Sequence, residues 1–391
     1  MNSTSKIGLV GGVLGGGFCV WSLTPLEPVE VVSEYRDFYA EEAQAIFTEA
    51  GHPKSWIKNR EGLDAFDIMQ ALESHEQEWT RLSPLCSGYP SKAKCDDGDS
   101  VLFNGLLCHA GFELGCETVR KSLNTSTGEW VRSPRRVEYS PLADEDAKSF
   151  SRDHLLGILL YTAKTGDFAS YDTWRRWMRD SPKCLVQVLG RCLWESQVGH
   201  LCRTFDFGCL YLPGVNRLSD TVLSLAGGRN KQWRIAEGGN FSTEWILRFE
   251  LKATSPGYPL HLKAVSLLLL GSLGYDKDFV SELSQDLVKR DPRNLFFQFL
   301  ADDSTSGAIR QSQSLLDQCA VSFNNLRKRD STRNQWSFER DSSEKAWRSS
   351  MGWDCVFLNR MLVDRLSSKL FHPDLSEDEG SSETPETELS H

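Results

Sequence analysis

Apolar positions recur at helical spacing along most of this chain. In "SEYRDFYAEEAQAIFTEAGHP" (33–53), Tyr35, Phe38, Tyr39, Ile46 and Phe47 share one side of a helix that Gly51 and Pro53 end. "LDAFDIMQALESHEQEW" (63–79) is a second amphipathic stretch. "SFSRDHLLGILLYTAKTGDFASYDTWRRWMRD" (149–180) predicts a helical hairpin. Its first helix ends near Gly166, Asp167 caps the second, and Trp174, Trp177 and Met178 form the buried stripe. The same grammar returns over 260–303: a mostly apolar helix that stops at Gly274, an amphipathic one from about Asp278, and a third opened by Asp291-Pro292 with proline at its first position. "GWDCVFLNRMLVDRLSSKL" (352–370) predicts the last helix. Strand signals are few; "GEWVRSPRRVEYSP" (128–141) and "LYLPGVN" (210–216) read as irregular or short β pieces. The pattern predicts an all-α body over about 30–371, built from helical hairpins. Its residues follow no fixed period, which excludes a regular solenoid.

Both ends depart from that pattern. "IGLVGGVLGGGFCVWSL" (7–23) is 17 residues without a charge, preceded by Lys6 and followed by Glu27 and Glu30. As a helix it would span about 25 Å, short but sufficient for a bilayer. The preferred reading is a retained signal-anchor, making 1–29 an anchor and linker. A cleaved signal peptide and a glycine-rich core segment are the alternatives. The tail "HPDLSEDEGSSETPETELSH" (372–391) carries seven acidic residues and no lysine or arginine, and its few apolar residues predict disorder. The net charge is −10, and the tail accounts for seven of those charges. A nearly neutral body offers no basic field to hold nucleic acid.

Cysteine usage points to an oxidising compartment outside the cytoplasm, periplasmic or secreted. Ten cysteines follow Cys19: Cys86, Cys95, Cys108, Cys116, Cys184, Cys192, Cys202, Cys209, Cys319 and Cys355. Neighbour pairing is the simplest arrangement, with Cys319–Cys355 as a longer bridge; free buried cysteines are the alternative. No CxxC or CxH spacing suggests zinc, and no metal or cofactor is expected.

The densest chemistry lies in "KCDDGDSVLFNGLLCHAGFELGC" (94–116). Leu102, Leu106, Leu107 and Ala110 fit one helical face, so Asp99 or Ser100 is placed to cap that helix. A functional carboxylate and a calcium loop are the rival readings. The calcium reading lacks the alternate ligands and the distal glutamate of an EF-hand.

"DDGDSVLFNGLLCHAGFELG" resembles the Asp-rich loop and inner helix of glycoside hydrolases with an (α/α)6 toroid, and is most similar to bacterial endoglucanases associated with cellulose synthesis. "FSRDHLLGILLYTAKTGDFASYDTWRRWM" resembles a hairpin of the same toroid. The likeness covers about 50 residues; the family's Ser-Glu-Gly acid motif is not found. The chain also resembles uncharacterised exported bacterial proteins that combine DDGD…FNGLLC, SPRR and FSRD segments. The resemblance implies a toroid-like fold and an enzyme that cleaves envelope or extracellular polysaccharide as a hydrolase or lyase. Three loops would converge at its mouth: the Asp96–Asp99 segment, "SPRR" (133–136) and "SFSRD" (149–153). Asp97 or Asp99 with Asp153 is then the catalytic pair, because glycoside cleavage uses two carboxyl groups. Arg135, Arg136 and Arg152 would tune those carboxylates or hold an anionic sugar.

Twelve tryptophans is a large number for this length. Trp174, Trp177 and Trp245 sit at core spacing, while Trp130, Trp336 and Trp353 lie near loops and are the better sugar-stacking candidates, with Asp354 beside the last. A non-catalytic envelope glycan- or protein-binding module, or a structural component of a secreted or viral assembly, is the rival function. The glycine fingerprints of nucleotide sites and the motifs HExxH and GxSxG do not occur.

Overall fold

Thirteen helices carry the described part of the chain. In this computed structural model the described residues are 64–138, 152–180, 182–188, 191–197, 213–226, 243–327 and 351–371. The helices are α1 Ala65–Leu82, α2 Ser100–His109, α3 Glu113–Lys121, α4 Pro134–Glu138, α5 Arg152–Thr165, α6 Phe168–Asp180, α7 Pro213–Leu225, α8 Thr243–Ala253, α9 Tyr258–Ser272, α10 Lys277–Arg290, α11 Leu295–Ala301, α12 Thr305–Arg327 and α13 Trp353–Phe371. The β content is two antiparallel ribbons: β1 Leu85–Cys86 with β2 Tyr89–Pro90, and β3 Pro182–Val188 with β4 Arg191–Gln197. The expected membrane segment 7–23, the helix over 33–53, the acidic tail and Trp336 lie outside the described residues. Among the described residues no helix is long and apolar enough to cross a membrane.

The helices sort by how they bury themselves. In α2 and α9 nearly every position is buried, from Ser100 to Cys108 and from Leu260 to Leu270. Their neighbours α3 and α10 bury one stripe each, in α10 Phe279, Leu283 and Leu287 at helical spacing. The sequence reading of α2 as one-sided is thus corrected. It is sheathed by α3 and α5, so its polar Asn104 is also buried. Further round the molecule α13 packs on α1 and α12, α11 on α10 and α12, and α9 on α5 and α10.

Local signals set most helix ends. Gly166 and Gly274 take positive φ after α5 and α9, as expected of glycine there. The Asp167 carboxylate accepts from Ser170 N, capping α6, and Asp276 accepts from Phe279 N, capping α10. The third helix of the 260–303 unit starts later than its proline suggests. Asn294 accepts from the amides of Phe296 and Phe297 and opens α11 at Leu295, leaving Pro292 in the turn. Two β expectations are also corrected. Pro213 begins helix α7, and residues 134–138 form α4. The β3–β4 ribbon was not anticipated.

Three disulfides close short range and long. Cys86–Cys95 closes the loop before α2, Cys108–Cys116 joins α2 to α3, and Cys319–Cys355 ties α12 to α13. All three follow the neighbour pairing expected from spacing and fit an oxidising, extracytoplasmic environment. Cys202 and Cys209 lie outside the described residues, as do the side chains of Cys184 and Cys192.

The closest helix contact is that of α2 with α5. A Cβ on Gly105 would meet the Gly157 backbone at 2.5 Å, and a Cβ on Gly157 would collide with the Val101 carbonyl. Two glycines therefore let the helix backbones touch. Asp99 precedes Gly105 and Asp153 precedes Gly157, so the crossing brings two acidic helix starts to the same end.

Candidate functional site

The segment 84–99 is the floor of the site, and its backbone is unusual. Ser87, Lys94, Cys95 and Asp99 have φ of 51°, 60°, 56° and 58°. Among the described residues these are the non-glycine residues with positive φ, and all four fall in this one loop. Each such residue costs roughly 1–3 kcal/mol and persists only where its surroundings hold it. Here the Cys86–Cys95 disulfide closes the loop, and Arg135 Nη2 donates to the Cys95 carbonyl at 3.0 Å. Asn104 Nδ2, from inside α2, donates to the Pro90 carbonyl at 3.2 Å.

The three aspartates have separate roles. Asp96 folds back to accept from Gly98 N at 2.8 Å, a local turn at the surface. Asp97 is buried, and a single carboxylate oxygen takes both Arg135 Nη2 at 2.5 Å and Arg136 Nε at 2.7 Å. The "SPRR" arginines thus clamp α4 to the loop through Asp97. That occupies a carboxylate expected to be catalytic and two guanidiniums expected to bind substrate.

Asp99 departs from expectation in another way. It stands at the N-cap of α2, but its left-handed backbone turns the side chain away and no capping bond forms. One carboxylate oxygen accepts from Lys92 Nζ at 2.8 Å, and the other from the Tyr258 hydroxyl at 3.3 Å. Asp153, at the start of α5, also hydrogen-bonds to it. Burial acts to raise the Asp99 pKa, but Lys92, the bond from Asp153 and nearby His154 outweigh it and hold the group at about 2. Two carboxyl groups in hydrogen-bond contact need one proton between them.

The surroundings are buried and cationic. The Lys92 side chain is 5% exposed, against 26% for Asp99, so the site meets solvent through Asp99. Burial lowers the pKa of His154 to about 3, aided by the charge of Arg132, and burial lowers His261 to about 3 as well. Both imidazoles are neutral at neutral pH. The starts of α2, α5 and α9 meet at this one carboxylate cluster, and α13 joins the same loop where Trp353 Nε1 donates to the Pro84 carbonyl at 2.8 Å. Converging helix N-termini add positive potential to that of Lys92 and the arginines.

The remaining expected site residues lie elsewhere. Trp130 is in the core: its Nε1 donates to the Val119 carbonyl at 2.7 Å, and its ring meets Tyr161 and Trp174 edge-on. Trp353 is fully buried against Phe112, and Asp354 beside it is fully buried as well. None of these three offers a face to a sugar, because each lies beneath a helix packing surface. Trp245, assigned to the core by spacing, is half exposed instead. The Arg152 side chain lies outside the described residues. Lys92 and Tyr258 were missed by the sequence reading; Lys92 lies inside the Cys86–Cys95 loop, while nothing local marks Tyr258.

Comparison with known proteins finds no matching family model, no matching curated protein and no matching solved structure. The reading of the site therefore rests on its own geometry. That geometry supplies an ionised carboxylate, Asp99, ion-paired to Lys92 and hydrogen-bonded to the buried Asp153. Among the described residues no group of three or more His, Cys, Asp or Glu is arranged to hold a metal ion.

Proposed function

We propose that this protein is a glycan-active hydrolase or lyase, exported and working on envelope or extracellular polysaccharide, with Asp153 as proton donor and Asp99 as the ionised group beside it. The hydrogen bond between these two carboxyl groups carries the reading. A carboxyl group hydrogen-bonded to an ionised neighbour is suited to handing a proton to the oxygen of a breaking glycosidic bond. The meeting of four helix starts at one loop supports a toroid-like arrangement of the helices. The uncharged 7–23 stretch supports anchoring in a membrane.

The contact between the carboxyls also favours one form of the reaction. Hydrolysis places two carboxyl groups about 5–10 Å apart, on opposite sides of the sugar. A directly bonded pair works from one side, which suits the elimination step of a lyase on an acidic glycan. There Asp99 would take the ring proton, the C–O bond to the leaving sugar would break, and Asp153 would protonate the departing oxygen.

A cleavage screen on neutral and uronate-containing polysaccharides tests both forms. Asp153→Asn and Asp99→Asn should each lower turnover at least about a hundredfold, as removal of a general acid does. Asp97→Asn should act mainly through stability. A lyase releases a product with a new double bond, seen in its ultraviolet absorbance; a hydrolase does not. Turnover unchanged in both Asp99→Asn and Asp153→Asn would reject the assignment.

A further inference from the structure

A second feature lies among the helices that carry the site. A cavity of about 250 Å³ is walled mainly by apolar side chains from four helices: Leu156 of α5, Leu218 of α7, Leu247 and Phe249 of α8, and Leu262 of α9. Its lining runs from Leu247 of α8 to Thr254 just past that helix, and along α9 from Pro259 to Ser266. The α9 stretch is seven helical rises, so the space is a slot about 10 Å long. Two of its lining residues are close along the chain to residues of the site. Pro259 follows Tyr258, whose hydroxyl reaches Asp99, and Leu156 lies one turn along α5 from Asp153. Its outer lip is apolar and exposed: the Phe249 ring stacks on Trp245 at 5.5 Å, nearly parallel. Among the described lining residues Lys263 and Glu250 are the charged ones, and they pair with each other.

We propose that this slot binds the alkyl or acyl tail of an amphiphilic substrate whose glycosyl head sits at Asp99 and Asp153. This rests on the glycan reading above and narrows its substrate to a glycolipid-like molecule. The linings decide the class. A leucine-walled space of about 150 Å³ takes up benzene and stays dry, so a larger, elongated one accommodates a longer apolar group. The described lining is mostly apolar, which suits a hydrocarbon chain rather than a second sugar ring, whose hydroxyls need hydrogen-bond partners.

Titration of the full-length protein with methyl, butyl, hexyl and octyl β-glucosides, all below micelle formation, tests the proposal. Affinity should rise roughly fourfold for each methylene buried, until the slot is full. Ser266→Leu, which fills the slot from α9, should remove the chain-length dependence. Ala253→Phe, at an exposed position of the α8 lining, should do the same without straining the core. Chain-length dependence that is absent, or that survives both variants, overturns the proposal. Asp99→Asn separates the two readings. Tail-dependent binding that persists in this variant, with no cleavage of any glycan by the wild type, would sink the enzyme reading and leave the slot intact.

Discussion

Asp99 forgoes a helix-capping bond so that its carboxylate can meet Lys92, Tyr258 and Asp153. Lys92 is the group that makes this tolerable, since a buried carboxylate is otherwise driven toward its neutral form. Lys92→Met should therefore raise the Asp99 pKa from about 2 into or above the ordinary carboxylate range. A carboxyl-carbon NMR titration reads this directly, and an unmoved value would mean that Asp153 and Tyr258 suffice. Tyr258→Phe should shift it less, since a neutral hydroxyl at 3.3 Å contributes less than an ammonium at 2.8 Å. The acidic loop was legible in the sequence as a candidate. The division of labour within it was not, because Asp97 and Asp99 differ only in which distant cations reach them.

Among elements, the α2–α5 crossing decides whether the site exists. Gly105 and Gly157 permit backbone contact, and any added carbon there forces the helices apart. Gly157→Ala should cost about 1–3 kcal/mol by overpacking, toward the upper end because the obstacle is backbone. It should also raise the Asp99 pKa, since separation weakens the bond from Asp153. Gly271→Ala, whose nearest obstacle is a side-chain methyl of Val280 at 3.3 Å, should be close to neutral in urea denaturation. Equal effects at both positions would mean that helix propensity, not the crossing, governs them. Helices α1, α5, α6, α9, α10 and α13 were readable from period, with two stops marked by Gly166 and Gly274 and one start by Asp167. The start of α11 was misplaced because a side-chain cap at Asn294 prevailed over a proline signal.

For the whole molecule, the buried histidines set the response to acid. His154 and His261 are held at about 3, whereas an unfolded chain protonates them near 6.5. Between those values the unfolded state binds more protons, so stability falls as pH drops below about 6.5. Each histidine contributes up to about 1.4 kcal/mol per pH unit. Asp99 acts in a lower window: its stabilisation is present above about pH 4 and is lost as pH falls toward about 2. Urea midpoints at pH 7, 5.5 and 4.5 should decline steadily, and His261→Gln should flatten the slope. A midpoint constant over that range would place both imidazoles in contact with solvent protons in the folded state.

The sequence by itself determined the helical class, the place of several helices, the neighbour pairing of three disulfides and the prominence of the Asp-rich loop. All of these are written in periods and spacings of a few residues, so local chain geometry suffices to read them. Only the tertiary structure decided that Asp99 rather than Asp97 faces Asp153, that Tyr258, 159 residues away, closes the site, and that Trp130 and Trp353 are core. Those outcomes depend on which helix ends meet, and that follows from a glycine crossing and a clamped loop whose partners are far apart in the chain.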